Sequence, residues 1–326
     1  MNVRHVSLPL ISVFILIFAS CRESFFYYDG EIWGTTFHIV YDGDTNLDGE
    51  MLAEMRAIDA ALSMFNEASE VSAVNRNETD SVSRTFADVF AVAKCVNALS
   101  GGVYDPTVAP LVDLWGFGRR EAGTLPSESE IAAALESVGI AYCSVGPDNR
   151  LVKKTPATAF DFSSVAKGYG VDVVAAVLEN NGVENYMVEI GGEVVARGVN
   201  PKGKPWRIQI DAPVASAGHT RLSVVELGPD LNAIASSGNY RRFRTDSVGN
   251  IFGHTISPLT GRPVAGKVLA ATVRAESCAV ADALATACMA AAMPDSALAV
   301  LGRADAEGLI VVASADTLKV ETTPGW

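Results

Sequence analysis

Histidine is the scarcest chemistry-bearing residue of this 326-residue chain, found only at His5, His38, His219 and His254. Any reaction that needs an imidazole therefore has few candidates. The five cysteines, Cys21, Cys95, Cys143, Cys278 and Cys288, form no C-x-x-C pair and no zinc-type spacing. That argues against a zinc module and a dithiol redox motif; disulfides stay open, because pairing cannot be read from sequence. Basic residues are few, 25 against 38 acidic ones, for a formal net charge of −13. A chain without a basic surplus is a poor nucleic-acid binder, so no such partner is expected. No serine sits in a nucleophile-elbow motif, which disfavours a hydrolase of that type. Repeats and low-complexity linkers are missing too, so one large or two intimately packed domains are expected.

Only the first segment, MNVRHVSLPLISVFILIFASC, departs from a globular composition. It has a short basic start at Arg4, an apolar stretch too short for a comfortable membrane span, and small residues before Cys21. Residues 1–20 are expected to be a lipoprotein-type signal peptide, with Cys21 acylated and residues 21–326 forming one functional domain; the plainer alternative is an ordinary cleaved signal. Either places the mature protein outside the cytoplasm. With lipidation it is anchored on the periplasmic side of a bacterial membrane, without a membrane span.

Apolar spacing predicts a strand over 31–41 and helices over 49–63 and 85–99, the latter stopped by Gly101-Gly102. Ser127 with Glu130 reads as a capping box opening a helix over 128–138. Strands are expected at 151–155 and 158–163, a helix over 165–180, and a strand over 185–198 in which Gly191-Gly192 marks a bulge or a close approach. Further strands are expected near 206–211, 222–227 and 268–275. The last leads into an alanine-rich helix, and GLIVVAS and TLKVET close the chain as a hairpin around Ala315-Asp316. Helices and strands without regular βαβ alternation indicate an α+β fold with mixed, largely antiparallel sheets and packed helices.

Several stretches carry possible chemistry. In DFSSVAKGYGVD (161–172) small residues join a strand to a helix start where Lys167 supplies a cation, suited to a diphosphate; a tight turn with a surface lysine reads equally well. GGVYDPTVAPLVDLWGFG (101–118) sets Asp105 before a proline, in extended backbone. In IFGHTISPLTGRPV, His254 falls in a loop, where functional residues concentrate. Asp282 and Thr286 stand one helical turn apart within ADALAT. They are either two hard oxygen ligands for Mg²⁺, or an exposed acid beside a threonine bonded to its own helix.

Taken in order, WGTTFHIVY, LSMFNEASEVSAVN, GGVYDPTVAPLVDLWGFG, DFSSVAKGYGVD, VEIGGE, SSGNYRRF, HTISPLTGRPV and ADALAT resemble the FAD:protein FMN transferases, the ApbE family. The resemblance implies an ApbE-like fold holding FAD in a cleft between two intimately packed lobes. It also implies a Mg²⁺-dependent reaction in which FAD is split at its diphosphate. FMN passes to a threonine or serine hydroxyl of an acceptor flavoprotein, such as a subunit of a membrane redox complex, and AMP leaves. Matched residue by residue, Asp282 and Thr286 correspond to magnesium ligands, and Ser164 to a residue lending its carbonyl. Trp33, Phe65, Val103, Tyr104, Asp105, Asp161, Lys167 and Ile256 correspond to FAD contacts, and His254 to the base that deprotonates the acceptor. Trp33 stands where relatives frequently have methionine, Phe65 where they often have tyrosine, and Ser163 and Ser164 where glycines are common. A Mg²⁺-dependent FAD pyrophosphatase and a non-catalytic flavin-binding lipoprotein are the alternatives.

Overall fold

The computed structural model describes residues 25–119, 125–213, 220–228, 232–238, 243–245, 251–314 and 317–326. The segment expected to be a signal peptide, Cys21, His5, His219, residues 239–242 of SSGNYRRF and the turn expected at Ala315-Asp316 lie outside them. In chain order the elements begin with β1 (Phe25–Ile32), β2 (Thr35–Asp42), α1 (Asp48–Leu62), α2 (Glu70–Asn75), α3 (Arg84–Leu99), α4 (Ala109–Leu114) and α5 (Glu128–Leu135). Next come β3 (Ser144–Val145), β4 (Leu151–Val152), α6 (Ala166–Asn180), β5 (Tyr186–Ile190), β6 (Glu193–Arg197), β7 (Arg207–Asp211) and β8 (Arg221–Glu226). The chain closes with β9 (Ala233–Gly238), β10 (Phe243–Thr245), β11 (Ile251–Gly253), β12 (Val268–Ala275), α7 (Cys278–Ala290), α8 (Pro294–Arg303), β13 (Glu307–Ser314) and β14 (Thr317–Thr322).

Eight strands form one sheet in the order β1-β2-β5-β6-β9-β12-β13-β14, with every neighbouring pair antiparallel. Period-two alternation decides its faces. Phe37, Ile39 and Tyr41 of β2 turn inward against α1 and α6, in a core shared with Val171, Val174 and Leu178. Val194, Ala196 and Ile234 turn to the other face, where Trp206, Ile210, Val225 and Leu227 of the β7–β8 hairpin region cover them. α7 is buried almost all round. Its alanines let it lie between β9, β12, α6 and α3, and small side chains are what such close approach requires. No helix among the described residues is long and apolar enough to cross a membrane.

Two expected strands resolve differently. Residues 31–41 hold a hairpin turn at Trp33-Gly34, both with positive φ (52° and 76°), between β1 and β2. Residues 185–198 are likewise two strands, since Gly191-Gly192 (φ 65° and 101°) form a two-residue turn instead of a bulge. Left-handed backbone at consecutive positions is what a tight hairpin needs, and glycine adopts it without a Cβ penalty.

The strand expected at 158–163 does not join a sheet. Its side chains alternate as a strand's would, with Thr158, Phe160 and Phe162 buried. The Asn75 amide takes a partner strand's place: Phe160 N donates to its Oδ1 (2.8 Å) and its Nδ2 donates to Phe160 O (2.9 Å). At 151–155 only Leu151–Val152 pair, and the helix expected over 128–138 ends at Leu135 behind the anticipated capping box. Cys95, Cys143, Cys278 and Cys288 are free thiols.

Candidate functional site

The site is assembled around the crossing of α6 and α7. At Gly168 an added Cβ would lie 2.2 Å from the Cys278 carbonyl oxygen, so only glycine lets the two helices approach this closely. Asp172 fastens the same crossing, accepting from Cys278 N (2.8 Å), Ala279 N (2.9 Å) and Ser277 Oγ (2.9 Å) at the start of α7. Together these contacts cap α7 through a side chain of another helix. The crossing sets Asp282, one turn into α7, against α6: Gly168 N donates to its Oδ2 at 3.1 Å.

Asp282 is only 3% exposed and lines a cleft of about 490 Å³. Burial raises its pKa, against the opposing pull of Lys167 and the Gly168 amide. Thr286 lines the cleft one turn on, and its hydroxyl lies 3.2 Å from Ser237 Oγ of β9. Asp282 is thus a buried acid, not a surface one, and the Thr286 hydroxyl has a partner on the neighbouring strand β9.

Lys167, in the first turn of α6, ion-pairs with Glu193, which is 1% exposed at the start of β6. Burial pulls the ammonium's pKa down, but Glu193 and Asp282 more than offset this and hold it above the ordinary lysine range. Burial pushes Glu193 up to about 7 even with Lys167 opposing. Among the described residues Glu193 Oε2 has no hydrogen-bond partner.

Val103, Tyr104, Asp105, Asp161 and Ser164 also line the cleft. Ser164 Oγ donates to Tyr104 Oη at 3.1 Å, and burial raises the phenol's pKa. Asp105 serves as a hub for loops: its carboxylate accepts from Thr107 N (2.9 Å), Thr107 Oγ1 (2.5 Å) and Ile140 N (3.0 Å). Its pKa is nevertheless raised, because burial outweighs those bonds. Asp161 Oδ1 accepts from Ser163 N at 2.9 Å, shaping the turn into α6.

Phe117 and Ile256 bring to the lining the edge of a small satellite core, shared with Leu111, Trp115, Ile131 and Val138, which packs α4 and α5 against the 254–263 loop. Trp115 Nε1 donates to Gly261 O at 2.7 Å, and Ser257 N to Arg262 O at 2.9 Å, so this loop is held rather than loose. His254 enters the cleft from it, its ring edge-on to Phe117 with centroids 6.4 Å apart. Phe65, 59% exposed, stands in the same lining.

One sequence-expected contact does not reach the cleft. The Trp33 ring packs on Gly170, where a Cβ would lie 2.2 Å from Cη2, and its Nε1 donates to Met55 O at 3.2 Å. The side chain is committed to helix packing and is not among the lining residues. Conversely, Glu193 and Ser237 line the cleft although the sequence does not mark them as site residues, and Gly191 and Gly192, expected as a bulge or a close approach, line it too. The acid directly after two glycines in an apolar strand was the available signal for Glu193.

Among the described residues no three His, Cys, Asp or Glu side chains gather as a metal cage. A cation here would instead draw on the Asp282 carboxylate, the Thr286 hydroxyl and the Ser164 carbonyl. These are hard oxygens and few, a donor set of the kind Mg²⁺ would accept. A carboxylate buried in the lining of a cleft is costly unless a cation or hydrogen bonds meet it, which is chemically consistent with that ion.

Comparison with known proteins gives a consistent result. The model of the ApbE family matches residues 33–310. The FAD:protein FMN transferase of Vibrio cholerae is 38% identical over 290 residues, covering 84% of this chain and 84% of its own. That of Haemophilus influenzae is 36% identical over 272 residues, covering 79% and 78%. Among solved structures, the flavin transferase ApbE from Vibrio cholerae superposes with a TM-score of 0.82 at 34% identity, covering 93% of this chain and 98% of that one. The apo flavinyl transferase ApbE of Pseudomonas stutzeri gives 0.81 at 32% identity, covering 93% and 95%.

Proposed function

The chain belongs to the ApbE family, and from that premise we propose that it is a flavin transferase that splits FAD and attaches FMN, through a phosphoester, to a threonine or serine hydroxyl of an acceptor flavoprotein. The observation that carries this reading is the meeting of Lys167, Asp282, Thr286 and His254 in the lining of one cleft. A diphosphate exchange needs charge neutralisation, in-line placement and an outlet for the hydroxyl proton, and this lining provides a group for each.

Asp282, Thr286 and the Ser164 carbonyl would hold Mg²⁺, which when bound neutralises phosphate charge. Lys167 binds the diphosphate as a point charge at the start of α6. Phe65 offers an aromatic face to the isoalloxazine ring, and the Val103–Asp105 segment adds further FAD contacts from the same lining. His254, whose imidazole is the side-chain type best suited to proton transfer near neutral pH, takes the acceptor's hydroxyl proton. The hydroxyl oxygen bonds to the FMN phosphorus, the bond from that phosphorus to the bridging oxygen breaks, and AMP leaves with that oxygen.

The mature chain works outside the cytoplasm in this reading, anchored through an acylated Cys21 and facing a membrane-bound acceptor. The test is incubation with FAD, Mg²⁺ and an acceptor domain carrying an exposed threonine. Covalent flavin on the acceptor with stoichiometric AMP is expected. Free FMN and AMP without labelled acceptor would convert the reading to a pyrophosphatase, and intact FAD would remove catalysis altogether. Asp282→Ala should abolish the Mg²⁺ dependence; an unaltered Mg²⁺ titration would contradict the ligand assignment.

A further inference from the structure

Two buried carboxylates from different elements, Glu193 of β6 and Asp282 of α7, act on a single ammonium, that of Lys167 on α6. Gly168, the next residue, already touches Asp282 through its amide. The flexible four-carbon stem of Lys167 therefore starts one residue from that carboxylate. Among the described residues its ion pair is nonetheless made to Glu193 alone.

We infer that Glu193 is a positioning residue that holds the Lys167 ammonium away from Asp282, so that the Asp282 carboxylate is left for a divalent cation. This rests on the metal reading given above. The placement of Glu193 is fixed from both faces of the sheet. The Gly191-Gly192 turn brings it opposite Ile190 on the face of the helices. From the other face, Glu189 Oε1 accepts from Gly192 N at 2.6 Å and fastens the turn. A half-buried ammonium, its side chain 34% exposed, that loses one buried carboxylate is drawn to the other that acts on it, because opposite charges attract strongly where water is partly excluded. Here that other is Asp282, and an ammonium seated on it would add positive charge where the cation binds.

The test uses the mature chain at pH 8 with saturating FAD, reading bound Mn²⁺ by electron paramagnetic resonance, together with a crystal structure of Glu193→Gln. In the wild type, Mn²⁺ should bind, and Asp282→Asn should lose that binding. If Asp282→Asn binds Mn²⁺ as the wild type does, the metal reading fails and this inference falls with it. Where that premise stands, Glu193→Gln should raise half-saturating Mn²⁺ about tenfold, a coupling typical of charges sharing one network. The crystal should show Lys167 Nζ within hydrogen-bond distance of Asp282. Lys167 remaining beside residue 193, or Mn²⁺ affinity unchanged, overturns the inference. If glutamine prevents folding, Glu193→Asp shortens the same tether with its charge retained, and the same shift is expected; wild-type affinity in that variant also overturns it.

Discussion

The amide of Gly168 and the carboxylate of Asp282 meet at 3.1 Å, joining the first turn of α6 to the buried face of α7. Two residues that are 114 positions apart in sequence thereby fix where the cleft's acid sits. The contact exists because Gly168 has no side chain to hold the helices apart.

Gly168→Ala should therefore act on stability and on the site together. Its Cβ would collide with the Cys278 carbonyl, and overpacking of this kind costs about 1–3 kcal/mol. Thermal unfolding should shift down by several degrees and FAD affinity should fall with it. A variant with unchanged Tm would show that the crossing is not held as described.

Phe65→Ala separates binding from folding. The ring is mostly exposed, so stability should stay within about 0.5 kcal/mol of the parent. FAD affinity, read by quenching of flavin fluorescence, should fall roughly tenfold through the loss of an aromatic contact. Equal affinity in the two chains would place the flavin elsewhere.

His254→Ala should keep FAD and lose transfer. General-base removal typically costs about 10²–10⁴ in rate, measured as covalent flavin appearing on an acceptor under saturating FAD. Undiminished transfer would take the proton-accepting role from this residue.

Glu193 gives the site a pH signature. Burial raises its folded pKa to about 7 from 4.5, so between those values the folded state binds more protons than the unfolded one. Stability from this group is fully present below pH 4.5 and declines as the pH rises through about 7. Chemical denaturation from pH 4.5 to 7.5 should show the wild type losing stability relative to Glu193→Gln. A constant difference across that window would mean that Glu193 titrates normally.

Local signals carried much of the fold. The apolar spacing of α1 and α3, the Ser127–Glu130 box and the β12 pattern all read through, since each depends on neighbours within a few residues. Trp33-Gly34 and Gly191-Gly192 read less well, because a positive-φ turn inside an apolar run leaves the alternation nearly unbroken. The 158–163 segment shows the converse: its alternation is genuine, but Asn75, far away in sequence, supplies the partner that a strand would have given. Trp33 reads as a ligand contact only until Gly170 is seen beneath its ring.

The sequence by itself determined which segments are apolar, which are capped, and which few residues carry charge or an imidazole, because those are properties of the residues and their near neighbours. Tertiary structure alone decided that Asp282 is buried beside an amide, that Lys167 turns to Glu193, and that Trp33 leaves the cleft for the core. Each outcome depends on which distant backbone approaches closely enough to bond or to exclude water, and no local pattern encodes that distance.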